Sequence, residues 1–314
     1  EQRQFQEDLL EMGRTALKTI ETDPERIAVV LFGRSYNSFS MDANKGIPSK
    51  FASRNIMILP FDMLPSQSED LESDHHMYWA SGRLVLKAAH FVKKHPQLFG
   101  TYITNFSCGP DSFLVGYFRD IMARKPSLTL ELDNHTADVG LETRIEAFLD
   151  IVQYYRQLGE GKTAVPSGSF RPAATEVRNG KFGIRTSSGE WLPLSDPRVV
   201  VALPAMGRFG TPMLQRVFES QGIRACVLPP ADDEVLKLGR GHSSCKECLP
   251  LQTTIGSIVH YLQARPQGEV TAYFMASTDG PCRFGQYHVL SKRVLDGLRI
   301  PDVAVMSLTS ANGY

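Results

Sequence analysis

Two series of apolar strands, each strand followed by a helical pattern, constrain the fold of this chain more than any other feature. The first series contains the β-branched and aromatic runs 27–32, 56–60, 101–106 and 128–132. A stretch rich in Gly, Ser, Thr and Pro interrupts the series, which then resumes with the runs 198–204, 224–229, 270–275 and 303–308. Strands joined by crossover helices pair in parallel, with helices on both faces. The pattern predicts an α/β protein with two Rossmann/flavodoxin-like lobes and mainly parallel sheets.

The interruption sets the predicted domain limits. We expect a first lobe with an N-terminal helix over 1–160, a linker with a hairpin over 161–197, and a second lobe over 198–314. A chain of 314 residues is long enough for two domains of ordinary size. Because the chain starts without Met and stops just after a strand-like run, we also expect both ends to be cuts in a longer polypeptide.

Charge and hydropathy narrow the classes of partner. Lys plus Arg and Asp plus Glu both number 34, so no net field attracts nucleic acid or an anionic membrane. No apolar run approaches the ~18 residues of a membrane helix. The chain has five cysteines, of which only Cys245 and Cys248 are close in sequence, and this pattern argues against a secreted disulfide scaffold. We expect a cytoplasmic protein with no nucleic-acid or membrane partner.

Three cysteines lie where a parallel sheet offers a binding edge. Cys108 falls between a strand and a helix, Cys282 repeats that arrangement in the second lobe, and Cys248 lies before the helix that follows the second strand of that lobe. Ligands bind outside the carboxyl ends of parallel strands, and a helix N-terminus favours the thiolate that binds metals. The positions predict a metal or redox site at the cleft between the lobes, whereas Cys226, inside an apolar strand, is predicted to be a buried core residue.

Other interpretations of these cysteines stay open at this point. The thiols could be small buried side chains, as in many α/β proteins. A zinc site could use His242 with Cys245, although a compact zinc knuckle needs two close ligand pairs and only one is present. Cys245 and Cys248 could form a thioredoxin-like redox pair, but no strand leads directly into them.

Two polar loops are further candidates. Glu131, Asp133, His135 and Asp138 follow the fourth strand and could transfer protons or bind a metal, or form a polar loop in which Asp138 caps the next helix. We expect them to face the same cleft as Cys108. Arg34, Ser35 and Asn37 follow the first strand and are candidates for binding an anionic substrate group, against the alternative of a surface turn.

Several of these loops resemble a known family. The segments 33–37, 104–112, 131–138, 246–250 and 280–287 resemble the large acyl-CoA dehydratase activase-related proteins. In those proteins, ATPase activator modules are fused to a region similar to the 2-hydroxyacyl-CoA dehydratase subunits. The resemblance implies that this chain is a fragment corresponding to the dehydratase-like region, without the ATPase modules.

For the cysteines, the resemblance implies a [4Fe–4S] cluster held by Cys108, Cys248 and Cys282 between the lobes, with one iron open. Such a cluster is expected to be lost on exposure to air. Cys245 departs from the pattern, because glycine is usual at that position, and it is either a fourth ligand or an incidental thiol.

The predicted function is therefore an iron–sulfur redox module. The resemblance implies that it accepts low-potential electrons from an ATP-hydrolysing activator, predicted to lie in the same full-length chain, for reductive or dehydrating (lyase) chemistry on an acyl-CoA or other small molecule. Glu131, His135 and Asp138 are the predicted catalytic residues. The alternatives are a non-catalytic binding or regulatory module and a zinc-stabilised scaffold. The motifs identify neither the substrate nor the reaction.

Overall fold

A computed structural model of the chain describes residues 1–71, 77–157, 170–244 and 246–308. The chain divides into two compact units, Glu1–Thr163 and Ala164–Tyr314. Each unit contains a four-stranded sheet whose neighbouring strands are all parallel. The predicted α/β class is confirmed, while the limits of the predicted linker stay a prediction.

The first unit alternates strands and helices as predicted. Its elements are α1 (Gln2–Glu21), β1 (Ala28–Phe32), α2 (Ser35–Ser38), α3 (Ile47–Ala52), β2 (Met57–Pro60), α4 (Ala80–Lys94), β3 (Leu98–Thr104), α5 (Asp111–Met122), β4 (Ser127–Glu131) and α6 (Asp138–Gln157). The strand order is β2-β1-β3-β4. The order reverses between β1 and β3, so the loops that follow these two strands flank a topological switch point.

The core of the first unit lies on both faces of this sheet. Every residue of β1 and β3 is buried, which is why their sequences are continuous apolar runs. On one face Phe51 of α3 meets Phe148 of α6 edge to face, with ring centroids 6.4 Å apart. Phe32 has the opposite orientation to Leu31 in the strand and packs on Phe118, with ring centroids 4.9 Å apart.

The second unit repeats the sheet topology of the first. Its elements are β5 (Ala174–Arg178), β6 (Lys181–Arg185), β7 (Trp191–Pro193), β8 (Val199–Leu203), α7 (Gly210–Ser220), β9 (Ala225–Val227), α8 (Asp233–Gly241), α9 (Leu249–Ala264), β10 (Val270–Phe274), a 3-10 helix (Arg283–Gln286), α10 (Tyr287–Gly297) and β11 (Val303–Met306). The parallel sheet has the order β11-β10-β8-β9. Read from β9, the strands follow the order second, first, third, fourth along the chain, as they do from β2 in the first unit. The switch point therefore lies between β8 and β10.

The strands β5, β6 and β7 form an antiparallel sheet within the segment predicted as a linker. Ile184 and Leu192 are buried in one cluster with Val201 and Ala272 of the parallel sheet. Helix α7, which follows β8, contributes to the same cluster, as α3 does in the first unit. The small sheet therefore covers the face that α6 covers in the first unit, and it forms part of the second unit's core.

Helix α8 was not predicted from the sequence. It packs directly on α9, because a Cβ atom at Gly239 would lie 1.7 Å from the carbonyl oxygen of Gln252, and one at Gly256 would lie 1.9 Å from that of Val235. Two glycines thus let the helix backbones touch. Asp232 caps α8 by accepting hydrogen bonds from the backbone N–H groups of the second and third residues after it, at 3.1 and 2.9 Å. Within the described residues, no helix has the length and apolarity that a membrane span requires.

Candidate functional site

The three predicted ligand cysteines all lie next to helix starts. Cys108 is in the loop between β3 and α5, Cys248 is the N-cap residue of α9, and Cys282 precedes the 3-10 helix that leads into α10. Cys108 and Cys282 are exposed and Cys248 is partly buried. All three thiols are therefore accessible to some degree. Cys245 lies outside the described residues.

In the second unit, Tyr287 links the two cysteine loops. Its hydroxyl oxygen lies 2.7 Å from the sulfur of Cys248, although the two residues are 39 positions apart in sequence. Burial raises the pKa of Tyr287, and the hydrogen bond with Cys248 and the charges of Cys248 and Cys282 raise it further. The fold therefore brings Cys248 to the hydroxyl of Tyr287, which lies five residues after Cys282 in the sequence.

The loop before Cys248 is held by its neighbour Glu247. This side chain is buried, and its carboxylate oxygens accept hydrogen bonds from the backbone N–H of Ser244 at 3.1 and 3.3 Å. The side-chain amide of Gln252, one turn into α9, donates to the carbonyl oxygen of Glu247 at 3.1 Å. These contacts orient Cys248 at the start of the helix.

In the first unit, the Cys108 loop has an unusual backbone. Phe106 and Ser107 have φ values of 55° and 48°, and Gly109 has 59°. Two successive non-glycine residues in the left-handed region are uncommon, and such conformations persist only when the surrounding structure holds them. The backbone N–H of Cys108 donates to the carbonyl oxygen of Asn105 at 3.1 Å, which closes the turn.

A buried carboxylate stands behind this loop. Asp111, in the first turn of α5, has no exposed side-chain surface and accepts hydrogen bonds from Thr104 at 2.7 Å and Tyr102 at 3.1 Å. Burial and the charge of Asp111 raise the pKa of Tyr102 well above its usual value, so its hydroxyl stays a donor. The Nε atom of Arg34 lies 3.4 Å from the carboxylate.

The predicted substrate-binding residues follow β1 at the same edge of the sheet. The guanidinium of Arg34 also donates to the carbonyl oxygen of Cys108 and, at 2.7 Å, to the hydroxyl of Tyr36. Ser35 is exposed, whereas Asn37 is buried. Arg34 is thus engaged by several protein groups, and a substrate-binding role for these residues stays a prediction.

The predicted catalytic residues lie on the loop after β4. Glu131 pairs in register with Thr104, so this loop and the Cys108 loop leave the same edge of the sheet. Asp133 accepts hydrogen bonds from the Thr136 hydroxyl at 2.7 Å and the His135 backbone N–H at 2.9 Å, and these bonds, with the Thr136 hydroxyl first, lower the pKa of Asp133.

The rest of this loop is open to solvent. His135 is exposed. The Oδ1 atom of Asp138, the first residue of α6, lies 3.5 Å from the Nζ atom of Lys50. These are the contacts of a polar turn. The catalytic roles of Glu131, His135 and Asp138 stay predictions.

The donor set is compatible with a sulfur-bound group. Within the parts of the chain that the structure describes, no three His, Cys, Asp or Glu side chains gather as a metal-binding group. Two candidate thiols lie in the two loops that Tyr287 joins in the second unit, and one lies in the first unit. Cys226 is different, because burial raises the pKa of its thiol. It is partly rather than fully buried, since β9 is a short edge strand.

Sequence reasoning missed Tyr287 and Asp111 as parts of the site. Both belong to the motifs around the cysteines, which is the only local signal for them. An aspartate in the first turn of a helix usually offsets the helix dipole at the surface, whereas Asp111 is completely buried. Their roles depend on residues far away in sequence.

The N-terminal part of the chain matches a protein-family model. Residues 1–64 match the family model described as "CoA enzyme activase uncharacterised domain (DUF2229)". No curated protein and no solved structure matches the chain. The match covers α1 to β2 and includes the turn of Arg34, but it ends before every cysteine loop. The N-terminal part of this chain is therefore similar to a domain of CoA enzyme activases.

Proposed function

We propose that this chain is an iron–sulfur redox module that resembles the 2-hydroxyacyl-CoA dehydratase subunits and accepts low-potential electrons from an ATP-hydrolysing activator. The observation that carries the proposal is the contact between the Cys248 sulfur and the hydroxyl of Tyr287, which joins the Cys248 loop to the helix that follows the Cys282 loop. The similarity of residues 1–64 to a CoA enzyme activase domain supports the link to an activator.

Cys108, Cys248 and Cys282 would hold the group, with Cys245 as the candidate for a fourth ligand. A [4Fe–4S] cluster bound there would take up and pass on single electrons. The protonated hydroxyl of Tyr287 would donate a hydrogen bond to the Cys248 sulfur, and such bonds tune reduction potentials. The proposal requires the Cys108 loop to reach the other two cysteines across the predicted cleft.

The remaining roles follow from the same proposal. The activator would be a module of the same full-length chain in the cytoplasm, and the substrate an acyl-CoA or another small molecule. Arg34, Ser35 and Asn37 would bind its anionic group, and Glu131, His135 and Asp138 would transfer protons. The reaction class would be reductive or dehydrating.

Metal analysis after purification without oxygen tests the proposal. We expect brown protein with bound iron and sulfide, and an EPR signal after chemical reduction. Replacing Cys108, Cys248 or Cys282 with Ser should remove most of the iron, whereas Cys226→Ser is the matched control and should retain it. Zinc in place of iron would support the scaffold alternative and overturn the proposal, as would the absence of any metal. An experimental structure with Cys108 more than about 15 Å from both other cysteines would also refute it, because metal–thiolate bonds are short.

A further inference from the structure

The Cys108 loop needs support from outside itself. Its turn contains two non-glycine residues with positive φ, Phe106 and Ser107, and this conformation is strained. Phe106 is 66% exposed, so its side chain gains little from packing. The main-chain bonds within the turn are the ordinary ones, from Cys108 to Asn105 at 3.1 Å and from Asp111 to Cys108 at 3.3 Å. Other contacts have to hold the thiol in place.

Arg34 supplies the contact that joins this loop to the rest of the sheet. Its guanidinium donates to the carbonyl oxygen of Cys108, 74 positions later in the sequence. Arg34 is itself placed by the end of β1, where Gly33 presses on β3: a Cβ atom at Gly33 would lie 2.3 Å from the carbonyl oxygen of Ile103. The arginine thus connects the two strands that flank the switch point.

Asp111 forms an ion pair with the guanidinium. The carboxylate is anchored by Thr104 and Tyr102 at the end of β3, and it lies 3.4 Å from the Nε atom of Arg34. A buried carboxylate requires a cationic partner, and the arginine side chain, 27% exposed, is placed to provide it. The planar guanidinium can contact the carboxylate and the Cys108 carbonyl oxygen at the same time, whereas a lysine ammonium does not hold several donors in one plane.

We infer that Arg34 and Asp111 are positioning residues for Cys108, and that they act by holding the backbone of residues 105–110. The significance of this for a cluster rests on the proposed function, but the positioning itself does not. The role differs from the substrate-binding role predicted for Arg34 from the sequence, since the guanidinium acts on the protein's own backbone.

Hydrogen–deuterium exchange of the full metal-free chain tests the inference. Arg34→Lys keeps the positive charge beside Asp111 but removes the planar guanidinium that donates to the Cys108 carbonyl oxygen, so the chain should remain folded. Exchange in residues 105–110 should become about tenfold faster, as expected for the loss of one charge-assisted hydrogen bond. Arg208→Lys is the matched control, because Arg208 follows the equivalent strand β8, is exposed and lies over the ring of Phe209. It should leave exchange in residues 105–110 unchanged.

A second variant and a second readout separate positioning from general stability. Asp111→Asn should also accelerate exchange in residues 105–110, with exchange in the Cys282 loop, residues 276–282, unchanged. Unchanged exchange in residues 105–110 in folded Arg34→Lys would overturn the inference, and so would an equal acceleration in both loops. In chain loaded with iron, Arg34→Lys should alter the EPR signal. Failure of the wild-type chain to bind iron would overturn the proposed function but leave the exchange result standing.

Discussion

Replacing Asp111 with Ala removes a fully buried carboxylate and leaves its partners in place. The carboxylate accepts hydrogen bonds from Thr104 at 2.7 Å and Tyr102 at 3.1 Å, and it neutralises Arg34. Hydrogen bonds to a charged group contribute about 1.5–3 kcal/mol each, and removing one partner of a buried ion pair costs about 3–5 kcal/mol. Because these contributions overlap, we expect the free energy of unfolding of the first unit to fall by about 3–5 kcal/mol.

The two tryptophans of the chain allow each unit to be followed by itself. Trp79 lies in the first unit and Trp191 in the second. In a Trp191→Phe background, urea unfolding followed by fluorescence reports the first unit, and a Trp79→Phe background reports the second. With a slope of about 2 kcal/mol per molar urea, the midpoint reported by Trp79 should fall by about 1.5–2.5 M. The midpoint reported by Trp191 should not move.

Glu142→Ala is the matched control for the loss of a carboxylate from an ion pair. Glu142 lies 3.2 Å from Lys50 and 3.9 Å from Arg54, but its side chain is 50% exposed. Exposed pairs contribute about 0–1 kcal/mol, so this variant should change the midpoint little. If Asp111→Ala cost no more than Glu142→Ala, the assignment of Asp111 as a buried anchor would be wrong. An equal shift of both fluorescence transitions would show that the two units do not unfold independently.

Three further predictions address other parts of the molecule. Gly33→Ala should destabilise the first unit by more than about 2 kcal/mol, because φ is +134° and a Cβ atom would meet the Ser38 hydroxyl oxygen at 2.2 Å. Gly116→Ala, with nothing near its added Cβ, should instead stabilise the first unit by about 0.5–1 kcal/mol. Thermal denaturation that ranks the two variants the other way would contradict the reasoning. Under the proposed function, Tyr287→Phe should still bind iron but have a lower reduction potential in a redox titration, since the substitution removes a hydrogen bond to the Cys248 sulfur; an unchanged potential would exclude that role. Iodoacetamide should label Cys226 more slowly than the exposed Cys282 at neutral pH in metal-free chain, because burial raises the pKa of Cys226; faster labelling of Cys226 in mass spectrometry would contradict this.

The sequence alone determined the secondary structure of both parallel sheets. A strand covered on both faces must be apolar throughout, so runs such as 27–32 and 270–275 predict β1 and β10 without knowledge of their neighbours. Helix α8 could not be predicted in this way, because only Val235 and Gly239 are buried in it and its stability comes from backbone contact with α9. The strand β5 was missed because its sequence is largely polar and none of its residues is buried; the pairing with β6 places it in the sheet.

The sequence also indicated which cysteines to consider, since the position of a thiol next to a strand end and a helix start is a local property. It could not indicate their partners. Tyr287 meets Cys248 across 39 positions, and Arg34 meets Cys108 across 74. The contact of Arg34 with Cys108 arises because β1 pairs with β3, which brings the loops after these two strands together. Cys248 and Tyr287 instead lie at the starts of α9 and α10, which contact each other. Strand order depends on how whole elements pack, so only the tertiary structure decided that Arg34 supports Cys108 and that Tyr287 joins two cysteine loops.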